Sequence, residues 1–362
     1  MNNLQTILLT ISSNEIIFFS VFIAFVLFVL MLDLGILSKE NKIVKFKEAV
    51  LWTLAWVTCA FLFFIFLKFN GDLIHGVADQ EKLNFLVQKY QHPLHLEGLS
   101  FEEQLAVYNR NLSIEFLTGY FIEYALSVDN IFVILLIFSS FGVRERYYKR
   151  ILFWGVLGAL VMRFLFIFIG AALIQKFAWI LYLFGGFLIF QGFKLMLAKE
   201  HEEEIDENNH PIVKIASKLF RVFPRFIGEN FFVRKDKKLW VTPLFLVLLV
   251  VEFSDVLFAV DSVPAIFAVT LDPYVVFFSN IFAIMGLRSM FFLLTNIMHL
   301  FHYLNKGLAI LLVFIGIKMT FHHYLEEIGL DNFWSLFVIL GILVGSVLLS
   351  IAFPKKEEVA EN

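Results

Sequence analysis

Residues 123–130 read EYALSVDN and residues 255–262 read DVLFAVDS, and each octapeptide lies inside a long apolar segment. Both consist of an acidic residue, five mostly apolar residues, an aspartate and a small polar residue. A charged side chain at the centre of a bilayer costs at least about 2.5–3.5 kcal/mol, so such acids have to face the interior of a helix bundle. The octapeptides therefore predict a polytopic α-helical membrane protein with two related halves.

The composition also indicates a membrane protein. Of the 362 residues, 60% are hydrophobic and 17% are aromatic, and the mean hydropathy is +0.81. A soluble chain of this length cannot bury so much apolar surface. The net charge of -3 and the lack of a basic patch in the sequence give no indication of nucleic-acid binding. The single cysteine, Cys59, cannot form a disulfide within the chain.

Nine apolar segments are long enough to cross about 30 Å of hydrocarbon as helices of about 20 residues. They cover residues 16–37, 49–69, 114–138, 151–174, 178–197, 244–268, 274–295, 304–324 and 333–353. The sequence thus predicts an all-α membrane protein with a single transmembrane domain, residues 1–362. The eighth segment is the weakest, because Lys318, His322 and His323 interrupt it.

Basic residues predict the orientation, because lysine and arginine favour cytoplasmic connections. They follow spans one, three, five and nine, whereas the connections after spans six and eight contain none. An external N-terminus and a cytoplasmic C-terminus fit this distribution. We expect the protein to lie in the inner membrane of a bacterial cell.

The long outer connection, residues 70–113, carries three histidines. His75, His92 and His95 could capture a metal, because imidazole is a common metal ligand. Histidines in a connection are more often simply solvated, and this is the interpretation that we favour.

The long cytoplasmic connection, residues 199–240, begins with an acidic run at residues 200–207. Within residues 212–232, apolar residues recur at helix-like spacing among basic ones. This spacing predicts an amphipathic segment on the inner membrane surface. The segment is either a regulatory element or, in the favoured interpretation, a linker.

Spans three to five and spans six to eight form two related units, residues 114–198 and 241–325. Each unit contains an octapeptide, then an arginine, and then a glycine followed two residues later by a lysine. These later features are Arg163, Gly192 and Lys194 in unit one, and Arg288, Gly316 and Lys318 in unit two. Because each unit has three spans, the two enter the membrane from opposite sides. Such inverted repeats are frequent in secondary transporters.

The acids within the spans permit two interpretations. They could form buried ion pairs with the basic residues of the spans, which are Arg163, Arg288, Lys194 and Lys318. They could instead bind a transported cation or exchange protons. The bases are too few to neutralise every acid, and symmetric acids suit two halves of one site. This favours function for Asp129 and Asp261, whereas both interpretations stay open for Glu252 and Asp33.

The spacing of the acids imposes a condition on the site. Residues six apart on an ideal helix are separated by about 120° around the axis and about 9 Å along it. Either a second helix therefore supplies a ligand, or the helix is unwound. Pro264 favours unwinding, because it cannot donate to the carbonyl of Val260. A proline kink without function is the alternative, and Phe132 at the equivalent position predicts a continuous helix in unit one.

The polar groups near the acids offer oxygen ligands and no histidine or cysteine. Oxygen coordination suits Mn²⁺, Ca²⁺ or Mg²⁺. The candidate metal-ligating residues are Glu123, Asp129, Asn130, Asp255, Asp261 and Ser262. Carboxylates that exchange metal for protons would permit antiport. The sequence contains no nucleophile–base constellation and no nucleotide-binding glycine motif, so we expect neither an enzyme nor a bound cofactor.

The segments EYALSVDNIF at residues 123–132 and FSDVLFAVDSVP at residues 253–264 resemble the two signature stretches of the TerC family of bacterial membrane proteins. The length and the nine-span layout are similar to its Alx-type branch. The resemblance implies manganese efflux, with an older association with tellurium resistance. It maps the conserved acids of the family onto Glu123, Asp129, Asp255 and Asp261. The outer connection resembles a lineage-specific insertion.

Three functions remain at this point. The first is an exporter of Mn²⁺, in exchange for protons. The second is a transporter or resistance protein for another substrate, such as Ca²⁺ or a tellurium oxyanion, which would need Arg163 and Arg288 free in the pathway. The third is a non-transporting scaffold for the assembly of other membrane proteins. The excess of acids favours a cation.

Overall fold

The computed structural model describes residues 13–35, 45–177, 179–197, 211–235, 238–297, 303–321, 324 and 332–353. Within these ranges the regular structure is helical apart from one β-hairpin. The helices are α1 (Ser13–Gly35), α2 (Phe46–Asn70), α3 (Gln80–Lys89), α4 (Phe101–Ser140), α5 (Tyr148–Lys176), α6 (Ile180–Leu197), α7 (Pro211–Leu219), α8 (Pro243–Phe267), α9 (Pro273–Met285), α10 (Leu287–Ile297), α11 (Leu304–Thr320) and α12 (Asn332–Ala352). The hairpin consists of β1 (Phe232–Lys235) and β2 (Lys238–Val241).

Six helices of the described ranges are long and apolar enough to cross a membrane: α2, α4, α5, α6, α8 and α12. The chain is therefore a multi-pass membrane protein, as predicted, but a count of nine spans is not confirmed. The apolar part of α1, Glu15–Val29, is shorter, and α11 has only 17 residues. The seventh predicted span is divided into α9 and α10, which are bent by 42°.

The bend lies at Gly286. The carbonyl oxygen of Gly286 accepts two hydrogen bonds of 2.9 Å, one from the amide of Met290 and one from the hydroxyl of Ser289. Glycine and serine near each other are a common cause of helix kinks. A Cβ atom at Gly286 would lie 3.5 Å from the Cβ of Trp56 on α2, so the bend follows the surface of a neighbouring helix.

Helix α4 is the central element and is longer than the sequence predicted. Its 40 residues correspond to about 60 Å, roughly twice the thickness of the hydrocarbon. It begins at Phe101 because Ser100 and Glu103 form a capping box, in which the Ser100 amide donates 2.8 Å to the Glu103 carboxylate. Residues 101–113, which the sequence assigned to the outer insertion, therefore extend the third span. Helices α2, α8, α9 and α12 pack around α4.

Helices α6 and α11 pack closely because both have glycines at their contact. A Cβ atom at Gly316 would lie 2.7 Å from the carbonyl oxygen of Gly185, and one at Gly192 would lie 2.8 Å from the carbonyl oxygen of Ala309. These are third helices of the two predicted units, and Gly192 and Gly316 are among the residues that relate those units. The inverted repeat itself stays a prediction.

The predicted cytoplasmic connection contains the main departure from an all-α fold. The amphipathic segment is helical only over Pro211–Leu219, and β1 and β2 pair in antiparallel register. Pro224 lacks an amide hydrogen and Gly228 has a φ of 51°, and neither continues a helix. The acidic run at residues 200–207 lies outside the described residues.

Candidate functional site

The acids of the two octapeptides lie on neighbouring helices. Glu123 and Asp129 are on α4, Asp255 and Asp261 are on α8, and the two helices pack against each other. Helix α8 continues through Pro264 to Phe267, so the predicted unwinding is wrong. Its last turn is held by packing and by the amide of Ala268, which donates 3.2 Å to the Pro264 carbonyl. The other possibility was that a second helix supplies a ligand. The structure brings polar groups of α4 and α6 to the same cavity as Asp261 of α8.

Arg163 of α5 lies at the centre of a closed ionic cluster. Its side chain is fully buried and donates to Glu123 Oε1 and, at 3.0 Å, to Asn280 Oδ1 of α9. It also forms an ion pair of 3.5 Å with Asp255 Oδ1. Asn280 in turn donates 3.1 Å to Glu123 Oε2. For Glu123 and Asp255 the geometry thus matches the ion-pair interpretation.

Asp129 and Asp261 are placed differently, because both line a cavity of about 190 Å³. The cavity lies between α4, α6, α8 and α11, and its other polar lining residues are Asn130, Gln191 and Lys194. Gln191 donates a hydrogen bond of 3.0 Å to Asp261 Oδ1. Sequence reasoning missed Gln191, although it directly precedes Gly192 of the repeated glycine–lysine feature of unit one.

Several buried polar atoms of α4 and α8 have no hydrogen-bond partner. They are Asn130 Nδ2, Asp255 Oδ2, Ser127 Oγ and Ser262 Oγ. Asn130 and Asp255 also line a second, smaller cavity of about 20 Å³ next to α5. Unsatisfied buried groups are rare in proteins and call for an explanation, such as a water molecule or an ion.

The six predicted ligands therefore do not form one cluster. Glu123 and Asp255 contact Arg163, whereas Asp129, Asn130 and Asp261 line the larger cavity. Ser262 is buried on α8 beside Asp261 and is absent from the cavity lining. Over the described ranges, no three His, Cys, Asp or Glu side chains are close enough together to hold a metal ion.

The remaining charged residues of the spans are less central. Glu252 is half-buried against α5, where a Cβ atom at Gly158 would collide with its carboxylate. Arg288 is half-buried on α10. The Asp33 side chain lies outside the described residues.

The histidines of the outer insertion form an unexpected buried network. His75 is 1% exposed and lies 2.7 Å from Asp272 Oδ2 and 3.7 Å from Glu15 Oε1. His92 is 6% exposed and lies 3.0 Å from Glu115 Oε1. Our preference for solvated histidines is therefore wrong for both of them. His95, in contrast, is exposed.

This network attaches the insertion to the loop between α8 and α9. The Thr270 hydroxyl donates 2.6 Å to Glu115 Oε2, and the side chain of Asp272 accepts 2.9 Å from the amide of Tyr274. Burial alone would lower the pKa of His75, but the carboxylates of Asp272 and Glu15 raise it to about 9. Burial would raise the pKa of Asp272, but His75 holds it below its ordinary value. Both shifts favour a charged pair of His75 and Asp272 at neutral pH.

Comparison with known proteins gives a consistent result. The profile of the "Integral membrane protein TerC family" matches residues 108–358. An uncharacterized membrane protein of Myxococcus xanthus is 41% identical over 91% of this chain and 90% of its own. The Escherichia coli K12 protein named "Putative membrane-bound redox modulator Alx" is 44% identical over 84% of each chain. A membrane protein of Rickettsia bellii is 37% identical over 93% of this chain and 96% of its own. No solved structure matches the chain.

Proposed function

Because the chain belongs to the TerC family of integral membrane proteins, we propose that it is a secondary transporter for a hard divalent cation. The ion that we propose is Mn²⁺, exported in exchange for protons. The protein would lie in a bacterial inner membrane with its N-terminus outside and its C-terminus in the cytoplasm. We propose a transport function rather than an enzymatic one.

The observation that carries this proposal is the shared cavity of Asp129 and Asp261. These residues come from the two related octapeptides, and together they line a cavity of about 190 Å³. A single water needs roughly 10–15 Å³ of such space, so this volume accommodates several waters. A divalent ion could therefore bind two carboxylates and the Asn130 amide while it keeps part of its hydration shell. Such oxygen ligands suit Mn²⁺, Mg²⁺ and Ca²⁺.

The charge of the cavity supports an exchange mechanism. Two carboxylates in largely apolar surroundings are costly unless positive charge compensates them. Lys194 lines the same cavity and is exposed, so it compensates one charge at most. A metal ion or protons have to supply the rest. Alternate occupation of Asp129 and Asp261 by metal and by protons is what an antiporter requires.

Cation transport is favoured over transport of an oxyanion. An anion would need an excess of basic groups at the cavity, but Arg163 is engaged by Glu123 and Asp255. The cavity lining carries one lysine, Lys194, against the two carboxylates of Asp129 and Asp261. A redox function is suggested by the name of the Alx relatives, "Putative membrane-bound redox modulator". This chain contains one cysteine, so it cannot form a dithiol–disulfide couple by itself. A scaffold for membrane-protein assembly stays the alternative that transport measurements would separate.

Transport by the purified full-length protein in liposomes tests the proposal. Mn²⁺, Ca²⁺ and Mg²⁺ uptake would be measured with and without a pH gradient. We expect wild type to transport Mn²⁺ with counter-movement of protons, and we expect Asp129→Asn and Asp261→Asn to lose it. Both substitutions preserve side-chain shape and remove the charge. Glu81→Gln on the exposed side of α3 serves as a control and should leave transport unchanged.

The outcomes separate the three functions. Mn²⁺ transport that persists in both aspartate variants would exclude the assigned cavity. Wild-type protein that folds in liposomes but moves none of the three ions would favour the scaffold. Transport of Ca²⁺ in preference to Mn²⁺ would leave the assignment of the cavity intact and would make Ca²⁺ the transported ion.

A further inference from the structure

Phe258 lies between the two acids of α8. It follows Asp255 by three residues and precedes Asp261 by three, so it is about 4.5 Å along the helix axis from each. Side chains three residues apart are neighbours on a helix surface. The phenyl ring therefore separates the acid that contacts Arg163 from the acid that lines the larger cavity.

The same ring borders both cavities. Phe258 and Asn130 are lining residues of the 190 Å³ cavity of Asp129 and Asp261 and also of the 20 Å³ cavity beside Asp255. These two side chains are the lining residues that the cavities have in common, so they form the partition. The larger cavity accommodates several waters, whereas the smaller one has room for about one.

The smaller cavity offers polar atoms without partners. Asp255 uses Oδ1 for its ion pair with Arg163, and its buried Oδ2 has no partner. Asn130 is only 4% exposed, and its Nδ2 also has no partner. An amide NH2 group is a hydrogen-bond donor, so the carboxylate oxygen of Asp255 is the group that a cation would bind here. A cation that moved past the partition from the larger cavity into the smaller one would reach the unpaired Oδ2 of Asp255.

We propose that the ring of Phe258 is the constriction between two cation stations, one at Asp129 and Asp261 and one at the free oxygen of Asp255. This inference rests on the proposed function. An apolar ring cannot replace water ligands, and hydrophobic constrictions in ion pathways act by excluding water. An ion passes it only after it sheds most of its hydration shell. Mg²⁺ gives up water reluctantly, so Phe258 determines selectivity against Mg²⁺.

Substitutions of Phe258 in both directions test the constriction. In liposomes containing the full-length protein, Phe258→Ala should join the cavities and raise Mg²⁺ transport relative to Mn²⁺ by about tenfold or more. Phe258→Trp should slow transport of both ions by about tenfold or more. Mn²⁺ binding to Phe258→Trp in detergent, measured by electron paramagnetic resonance, should stay within about twofold of wild type.

Leu257→Ala is the matched control, because Leu257 is the adjacent residue and is 53% exposed on the outside of the bundle. It should transport both ions as wild type does. Phe258 variants that retain the wild-type rates and the wild-type Mg²⁺ to Mn²⁺ ratio would overturn the inference. Loss of Mn²⁺ binding in Phe258→Trp would also overturn it, because the ring would then belong to the binding site.

The result separates this inference from the proposed function. If Asp129→Asn abolishes transport while both Phe258 variants behave like Leu257→Ala, the cavity stands and the constriction is refuted. If wild type neither binds nor transports Mn²⁺, both the proposed function and the constriction are refuted.

Discussion

Replacement of Arg163 by leucine should be among the most damaging single changes in this protein. The guanidinium is fully buried and is the cation that Glu123 and Asp255 contact. Its removal leaves both carboxylates without their counter-charge and also removes the 3.0 Å hydrogen bond to Asn280. The variant therefore pays the desolvation of two acids without compensation.

The magnitude follows from these contacts. Loss of one partner from a buried ion pair costs about 3–5 kcal/mol. For a chain of this length, each kcal/mol shifts the melting temperature by roughly 2 °C. We therefore expect Arg163→Leu to lower the melting temperature by on the order of 5–10 °C. The combined variant with Glu123→Gln and Asp255→Asn should recover most of this loss, because neutral amides are far less costly to bury.

Thermal unfolding of detergent-purified protein, followed by intrinsic fluorescence, measures the effect. Arg150→Leu is the control, because its ion pair with Glu229 spans 3.7 Å and both side chains are 30–38% exposed. Arg150 also stacks on the ring of Phe231 at 5.0 Å. Loss of these exposed contacts should cost at most about 1–2 kcal/mol.

Two results would refute the reasoning about Arg163. Arg163→Leu could prove as stable as Arg150→Leu, in which case the cluster contributes no net stabilisation. The combined variant could fail to recover stability, in which case the loss comes from packing of the arginine side chain rather than from uncompensated charge.

The outer network and the contact of α6 with α11 give two further predictions. The pKa of His75 is raised from 6.5 to about 9, so its stabilisation is complete below pH 6.5 and is lost as the pH rises through 9. The melting temperature should therefore fall between pH 6.5 and about 9, and His75→Gln should reduce this dependence on pH. The same dependence in His75→Gln would mean that another group causes it. Gly316→Leu should cost about 1–3 kcal/mol or more, because its Cβ would meet the Gly185 carbonyl oxygen at 2.7 Å. Gly341→Leu on α12 is the control, because a Cβ atom there would meet no neighbouring side chain or helix within 4 Å. Equal melting temperatures of the two variants would contradict the packing argument.

The early start of α4 could have been predicted from the sequence. Ser100 and Glu103 are a capping box ahead of the third span, and this signal extends α4 outward to Phe101. The division of the seventh predicted span was harder to see, because the two helices on either side of Gly286 are together apolar enough to cross a membrane as one span. Hydropathy measures whether a segment is apolar enough to enter a membrane, but it does not detect where the backbone bends.

The histidines show a second limit. His75 and His92 lie in a polar connection, where solvation is the ordinary expectation. Their carboxylate partners Asp272 and Glu115 are far away in the sequence, and only folding brings them within 2.7 Å and 3.0 Å. Nothing in the local sequence distinguishes a solvated histidine from one that is buried against a distant acid.

The sequence by itself determined that this chain is a multi-pass helical membrane protein with acids inside its spans, because composition and the cost of burying charge in lipid are local properties. The family followed from the same two octapeptides. Only the tertiary structure decided which acids contact Arg163 and which line a cavity. That choice depends on the distances between α4, α5 and α8. Two pairs of acids with the same spacing along two helices carry no information about which neighbouring helix places an arginine beside them.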